Sequence, residues 1–113
     1  MRTVTLGISS REKINKRFIK AFDESFQGTF ISFESPDILF KVLSGKRWEL
    51  LKAMTGAGPM SIRETARKVG RDVKAVHGDV HKLLNVGILV KTDKGQIEFP
   101  FDSVRVDFML KAA

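Results

Sequence analysis

The sequence predicts an α+β fold in which three successive helices lead into a two-stranded hairpin, with a strand-helix-strand extension before them and one strand after them. Three observations carry that expectation. Alternating apolar runs stand near both ends of the chain, "RTVTLGI" and "SVRVDFML". Between them, apolar residues recur at helical spacing in consecutive stretches. The last of these is followed by "GILVKTDKGQIEF", two strand-like runs about a turn at Asp93-Lys94-Gly95.

In chain order, Val4, Leu6 and Ile8 share one face of the first strand. In "SSREKINKRFIKAFDESFQG", Ser10 suits an N-cap and Ile14, Phe18, Phe22 and Phe26 form one stripe, with Gly28 past the end. "TFISF" reads as a brief strand. Ser35-Pro36-Asp37 opens a short helical stretch, Ile38 to Leu43, with Pro36 suited to a first turn. Ser44-Gly45 breaks it. "KRWELLKAM" offers Trp48, Leu50, Leu51 and Met54 as an apolar face, and "TGAGPM" is a loop by its Gly and Pro content. The expected division is an extension over 1–43 and a main unit over 44–113.

Two helices meet at Val69-Gly70-Arg71-Asp72. Ser61 and Glu64 have capping-box spacing, Gly70 can take the left-handed turn that ends a helix, and Asp72 suits the next N-cap. Ile62, Ala66 and Val69 fall on one face of the first helix. Val73, Val76, Val80, Leu83 and Leu84 form the buried stripe of the second. Lys74, Ala75, Gly78 and Lys82 then point outward, and His77 and His81 lie on the flank. Helix, helix, helix, hairpin is the element order of a winged helix-turn-helix, in which one helix braces and the next lies in the major groove.

The charge fits that use. The 113 residues hold 20 Lys+Arg against 13 Asp+Glu, a net +7 that favours a polyanionic partner. Within 61–95, Arg63, Arg67, Lys68, Arg71, Lys74, Lys82, Lys91 and Lys94 stand against Glu64, Asp72, Asp79 and Asp93; eight minus four is +4. Arg63, Arg67 and Arg71 are expected on phosphates, Lys74, Ala75, Gly78 and Lys82 along the groove, and Lys91 and Lys94 on the flanking backbone. Gly78 carries a question of its own, because an interior helical Gly costs roughly 0.5–1 kcal/mol against Ala. It is either a tolerated surface residue or a place where the helix passes close to its partner.

Other chemistry is weakly supported. The chain has no cysteine, which excludes disulfides and thiolate metal sites and fits a reducing cytoplasm. His77 and His81 have ligand spacing, but a third ligand would have to come from a carboxylate such as Asp79, so no metal is expected. No phosphate loop or nucleophile elbow occurs, and neither an enzyme nor a cofactor is expected. Arg11, Lys13, Lys16, Arg17 and Lys20 flank the phenylalanine stripe; a basic amphipathic helix of this kind suits a membrane surface or additional phosphate contacts, but ordinary solvated cations beside a packed stripe are the preferred reading. No apolar run approaches the roughly 18–20 residues of a membrane span.

From Ser44 to Leu110, "KRWELL", "SIRETARKVGRDVKAVHGDV", "LLNVGIL" and "FPFDSVRVDFML" resemble the MarR-like winged helix-turn-helix transcriptional regulators and antitoxins. Arg71, Asp72, Val73, Val76, Asp79 and Val80 match that pattern. Gly78 departs from it, since members commonly carry a larger polar residue there. The resemblance implies an autorepressor or antitoxin that binds double-stranded DNA, often encoded beside a toxin. A homodimer is expected because two half-sites multiply affinity. Val4–Ile8 and Val104–Leu110 are its candidate seam, pairing of these two strands within one chain being the alternative. A second reading makes neutralisation of a toxin the main task, through Phe18 to Phe33.

Overall fold

The structure, a computed structural model, describes residues 2–8 and 29–109. The phenylalanine stripe of Phe18, Phe22 and Phe26, with its cap and flanking cations, lies outside the described residues. Among those described, the order is β1 (Thr3–Ile8), β2 (Thr29–Phe33), α1 (Pro36–Val42), α2 (Gly45–Met54), α3 (Ile62–Val69), α4 (Val73–Asn85), β3 (Val90–Lys91), β4 (Ile97–Glu98) and β5 (Ser103–Asp107). The chain is an α+β fold, and no described helix is long and apolar enough to cross a membrane.

β1 is the middle of a three-stranded sheet of order β2-β1-β5. Both neighbours run parallel to it, with Val4 opposite Thr29 on one side and Val104 on the other. The two terminal strands proposed as a seam therefore pair with each other, and neither edge of β1 is free. Their join is tied by a 2.7 Å hydrogen bond between the hydroxyls of Thr3 and Ser103. The backbone N–H of Arg2 donates to the Asp102 carboxylate at 2.7 Å. β5 ends at Asp107, short of the alternating run read from the sequence, and Val106 and Phe108 are exposed rather than inward.

Val4 and Leu6, both fully buried, place the sheet in the same core as Leu39 of α1, Leu50, Leu51 and Met54 of α2, and Val76, Val80 and Leu83 of α4. That core crosses the division expected between 43 and 44. Two stripe positions differ from expectation. Val73 is 43 % exposed because it opens the first turn of α4, beyond the core's reach. Trp48 is 38 % exposed, since α2 turns Leu50, Leu51 and Met54 inward and leaves the indole over a cleft beside Thr55, Ser103 and Val104.

The helix ends follow local chemistry. The Ser35 hydroxyl caps α1 by accepting from the N–H of Ile38. The Ser61 hydroxyl caps α3 by accepting from the N–H of Glu64. Gly70 ends α3 at φ 68°, a conformation that penalises any Cβ, and the N–H of Arg71 reaches back to the carbonyl of Ala66. Asp72 caps α4 through the N–H groups of Lys74 and Ala75. Beyond α4, β3 and β4 pair antiparallel, Val90 with Glu98 and Lys91 with Ile97. Their turn is closed by the N–H of Gly95 on the carbonyl of Thr92 at 3.0 Å, and Met60, just before α3, exchanges two backbone hydrogen bonds with Ile97.

The helices are locked to one another by Asp79 of α4. Its carboxylate accepts from Arg47 Nε of α2 at 3.0 Å and from Arg71 Nη2 of the inter-helix turn at 2.7 Å. Arg47 continues the chain of contacts, donating from Nη1 to the carbonyls of Lys41 and Val42 at the end of α1. The Arg47, Asp79 and Arg71 side chains are only 11 %, 16 % and 20 % exposed, so these charges are poorly screened. Burial alone pushes the Asp79 carboxyl up, but the hydrogen bonds and positive charge of Arg71 and Arg47 outweigh it and hold the group below the usual aspartate range.

Asp79→Asn should therefore lower stability by about 2–3 kcal/mol at pH 7, read from urea unfolding. A change under about 0.5 kcal/mol would mark the pair as no better than a surface one. Because the folded pKa is depressed, this contribution is complete above the unfolded value of about 3.9 and disappears as pH falls through the folded one. The difference between parent and variant should accordingly shrink below about pH 4.

Candidate nucleic-acid interface

Every second-helix residue assigned to the groove from the sequence lies on an exposed face of α4. Lys74, Ala75, Gly78 and Lys82 occupy one strip, while Val76, Val80 and Leu83 on the other side are fully buried. At 100° per residue these four positions span about one quarter of the helix circumference. Two lysines flank a stretch of bare backbone there. α3 presents Arg63 and Arg67, four residues apart and both exposed, while Thr65 and Ala66 face the core. Glu64, Arg67 and Lys68 line a shallow depression on this helix.

On the hairpin, Lys91 ends β3 and Lys94 sits in the turn, both exposed. Arg71 differs from the other eight. Expected on phosphate, it is instead turned into the protein, where Asp79 takes its Nη2 and where Nη1 is buried without an acceptor among the described residues. The reason is electrostatic: a carboxylate beside the buried stripe needs cations, and Arg71 and Arg47 are the ones within reach.

Arg47, which in the sequence stands only as one residue of "KRWELL", is the second cation on Asp79. A signal was present. Asp79 stands three residues from Val76 and four from Leu83, at the edge of the stripe that α4 buries, and a carboxylate in that position calls for a cationic partner from a facing helix. Lys68 and Arg71 also line a groove with Lys46, Glu49 and Lys52 of α2. Glu49 and Lys52 form an exposed pair at 2.9 Å.

His77 and His81 are exposed on α4, ring to ring, with their Nε2 atoms 3.1 Å apart. Asp79, considered from the sequence as a third ligand, is committed to its two arginines. Among the described residues no third His, Cys, Asp or Glu is gathered with this pair.

Gly78 lies in the interior of α4 without a positive φ, and a Cβ built on it would meet nothing within 4 Å among the described residues. Packing among the described residues gives no reason for glycine at this position. Gly78→Ala should consequently raise stability by about 0.5–1 kcal/mol, seen as a higher urea midpoint. A loss of stability would mean that the strip is covered rather than free.

No curated protein and no solved structure matches the chain. A family model does: HVO_A0114 matches residues 42–106, from the end of α1 to within β5, which is more than half of the 113 residues. The chain belongs to the HVO_A0114 family.

Proposed function

We propose that this protein is a sequence-specific, double-stranded DNA-binding transcriptional regulator of MarR-like winged helix-turn-helix type, acting in the cytoplasm as a homodimer and controlling its own gene. The observation that carries this reading is the exposed strip Lys74, Ala75, Gly78 and Lys82 on a helix whose opposite side is fully buried. In the proposed geometry α3 is the brace, with Arg63 and Arg67 on phosphates. α4 is the reading helix, its N-terminal half in the major groove. The β3–β4 hairpin is the wing, and Lys91 and Lys94 neutralise the flanking backbone.

Gly78 acquires a purpose in this reading. Its missing side chain lets the α4 backbone approach a phosphate or base edge, at a cost in helix stability. Arg71 acts indirectly, by fixing the turn that sets α4 against α3.

A second reading, an antitoxin whose main task is to neutralise a co-encoded protein toxin, is favoured by apolar exposure outside α4. Phe40 is 56 % and Met109 75 % exposed, and the Phe40 and Phe108 rings meet edge to face at 5.5 Å. Such a patch suits a protein partner rather than a polyanion. Most of the Phe18–Phe33 segment first considered for this role lies outside the described residues.

Fluorescence anisotropy with DNA from upstream of the protein's own gene, against unrelated DNA of equal length, tests the first reading. Own-site binding should be tighter by about 10³ or more, with a steep negative dependence on log salt of about 0.9 per phosphate neutralised. Lys74→Glu/Lys82→Glu should abolish it while leaving the unfolding curve intact; Arg71 is unsuitable for such a reversal because its loss breaks the Asp79 pair. Gly78→Ala should bind more weakly although the protein is more stable. Equal, salt-fragile binding to both DNAs would refute the regulator. Retention of a protein partner by the doubly reversed chain would then support the antitoxin.

A further inference from the structure

The histidine pair on α4 is unexplained by the buried core, by the Asp79 ion pairs and by the lysine strip. Its geometry has chemical content. Metal–imidazole bonds are about 2.0–2.1 Å long, so two ligands on one ion stand about 2.9 Å apart at a right angle and about 3.4 Å apart at the tetrahedral angle. The Nε2 atoms of His77 and His81 are 3.1 Å apart, between those limits. The ring centroids are 4.2 Å apart with the planes tilted by 49°, so the rings do not stack face to face and the Nε2 atoms stand closer together than the centroids; rotation of these two exposed side chains is what turns both lone pairs onto one ion. The helix supplies this arrangement, because residues i and i+4 stand one turn apart on the same side.

We propose that His77 and His81 form a two-imidazole chelate for a borderline divalent transition metal, Cu²⁺ first, with Zn²⁺ and Ni²⁺ weaker. Imidazole suits these ions, and the order follows the general affinity series for nitrogen ligands. The chain's own third ligand is absent among the described residues, so water or an external donor fills the remaining positions. In the metal-free pair one Nε2–H donates to the other Nε2. On binding, that ring takes its Nδ1–H tautomer and both Nε2 lone pairs point at the ion. Lys74 and Lys82, exposed on the same helix, oppose a cation, but their flexible charged ends are hydrated and stay apart from it. The inference does not depend on the DNA reading, since the metal is bound and measured on the protein alone.

The chain has two histidines in all, which makes the test clean. The full chain is titrated with Cu²⁺ in a non-coordinating buffer, with calorimetry for affinity and electron paramagnetic resonance for the nitrogen ligands. One equivalent should bind through two imidazole nitrogens, and Cu²⁺ should raise the thermal unfolding midpoint, because only the folded helix holds the pair in register. His77→Gln and His81→Gln, at exposed positions where Gln suits a helix, should each weaken binding at least tenfold by turning a chelate into a single ligand. Each should also lose the rise in midpoint. Binding by either variant as tight as by the parent, or a parent signal showing one imidazole or none, would overturn the site and assign the metal to the amino terminus or to carboxylates.

Discussion

The Asp79 carboxylate is the point on which the helical part of this protein turns. One side chain of α4 holds Arg47 of α2 and Arg71 of the turn, and through Arg47 it reaches the last carbonyls of α1. Apolar burial of Val76, Val80 and Leu83 selects the face of α4 that turns inward but fixes its exact rotation only loosely, because hydrophobic contacts are weakly directional. The ion pairs are directional. They pin the rotation that the buried stripe favours, with Lys74, Ala75, Gly78 and Lys82 outward. The cost is visible in Arg71, whose Nη1 is left buried without an acceptor among the described residues.

The sheet provides a second constraint, this time on the ends of the described chain. β1 is held between β2 and β5 in parallel register, and its Val4 and Leu6 enter the core beneath the helices. The described strands of the extension are thereby part of the same packing unit, and β5 is anchored to them by Thr3–Ser103 and Arg2–Asp102. Among the described residues the outer strands of this sheet are β2 and β5, since β1 has both sides occupied.

Much of this was legible in the sequence because it rests on local chemistry. Ser61, Gly70 and Asp72 mark helix ends by what their own atoms can accept or adopt, and each does so in the structure. Gly95 closes the hairpin turn in the same way. Non-local facts were harder to read. Alternation in "SVRVDFML" says that a strand is favourable, but not that it stops at Asp107 or pairs with β1. Trp48 looks like core by hydropathy, and only its angular offset from Leu50 and Met54 shows it at the margin. Arg71 looked like a phosphate contact because its partner lies eight residues away and Arg47 thirty-two. Charge counted along the chain does not distinguish a cation consumed inside the fold from one left outside.

The proposed regulator therefore rests on orientation: a helix held by its inward carboxylate, with a small, basic strip turned to solvent. The most direct test is a two-dimensional NMR titration of the labelled protein with its own upstream DNA duplex, following backbone amides. Binding through α4 predicts the largest shifts at Lys74, Ala75 and Gly78, smaller ones at Arg63, Arg67 and the hairpin turn around Lys94, and little change in β1 and β2. Shifts concentrated on the sheet or around Phe40, with α4 silent, would contradict it.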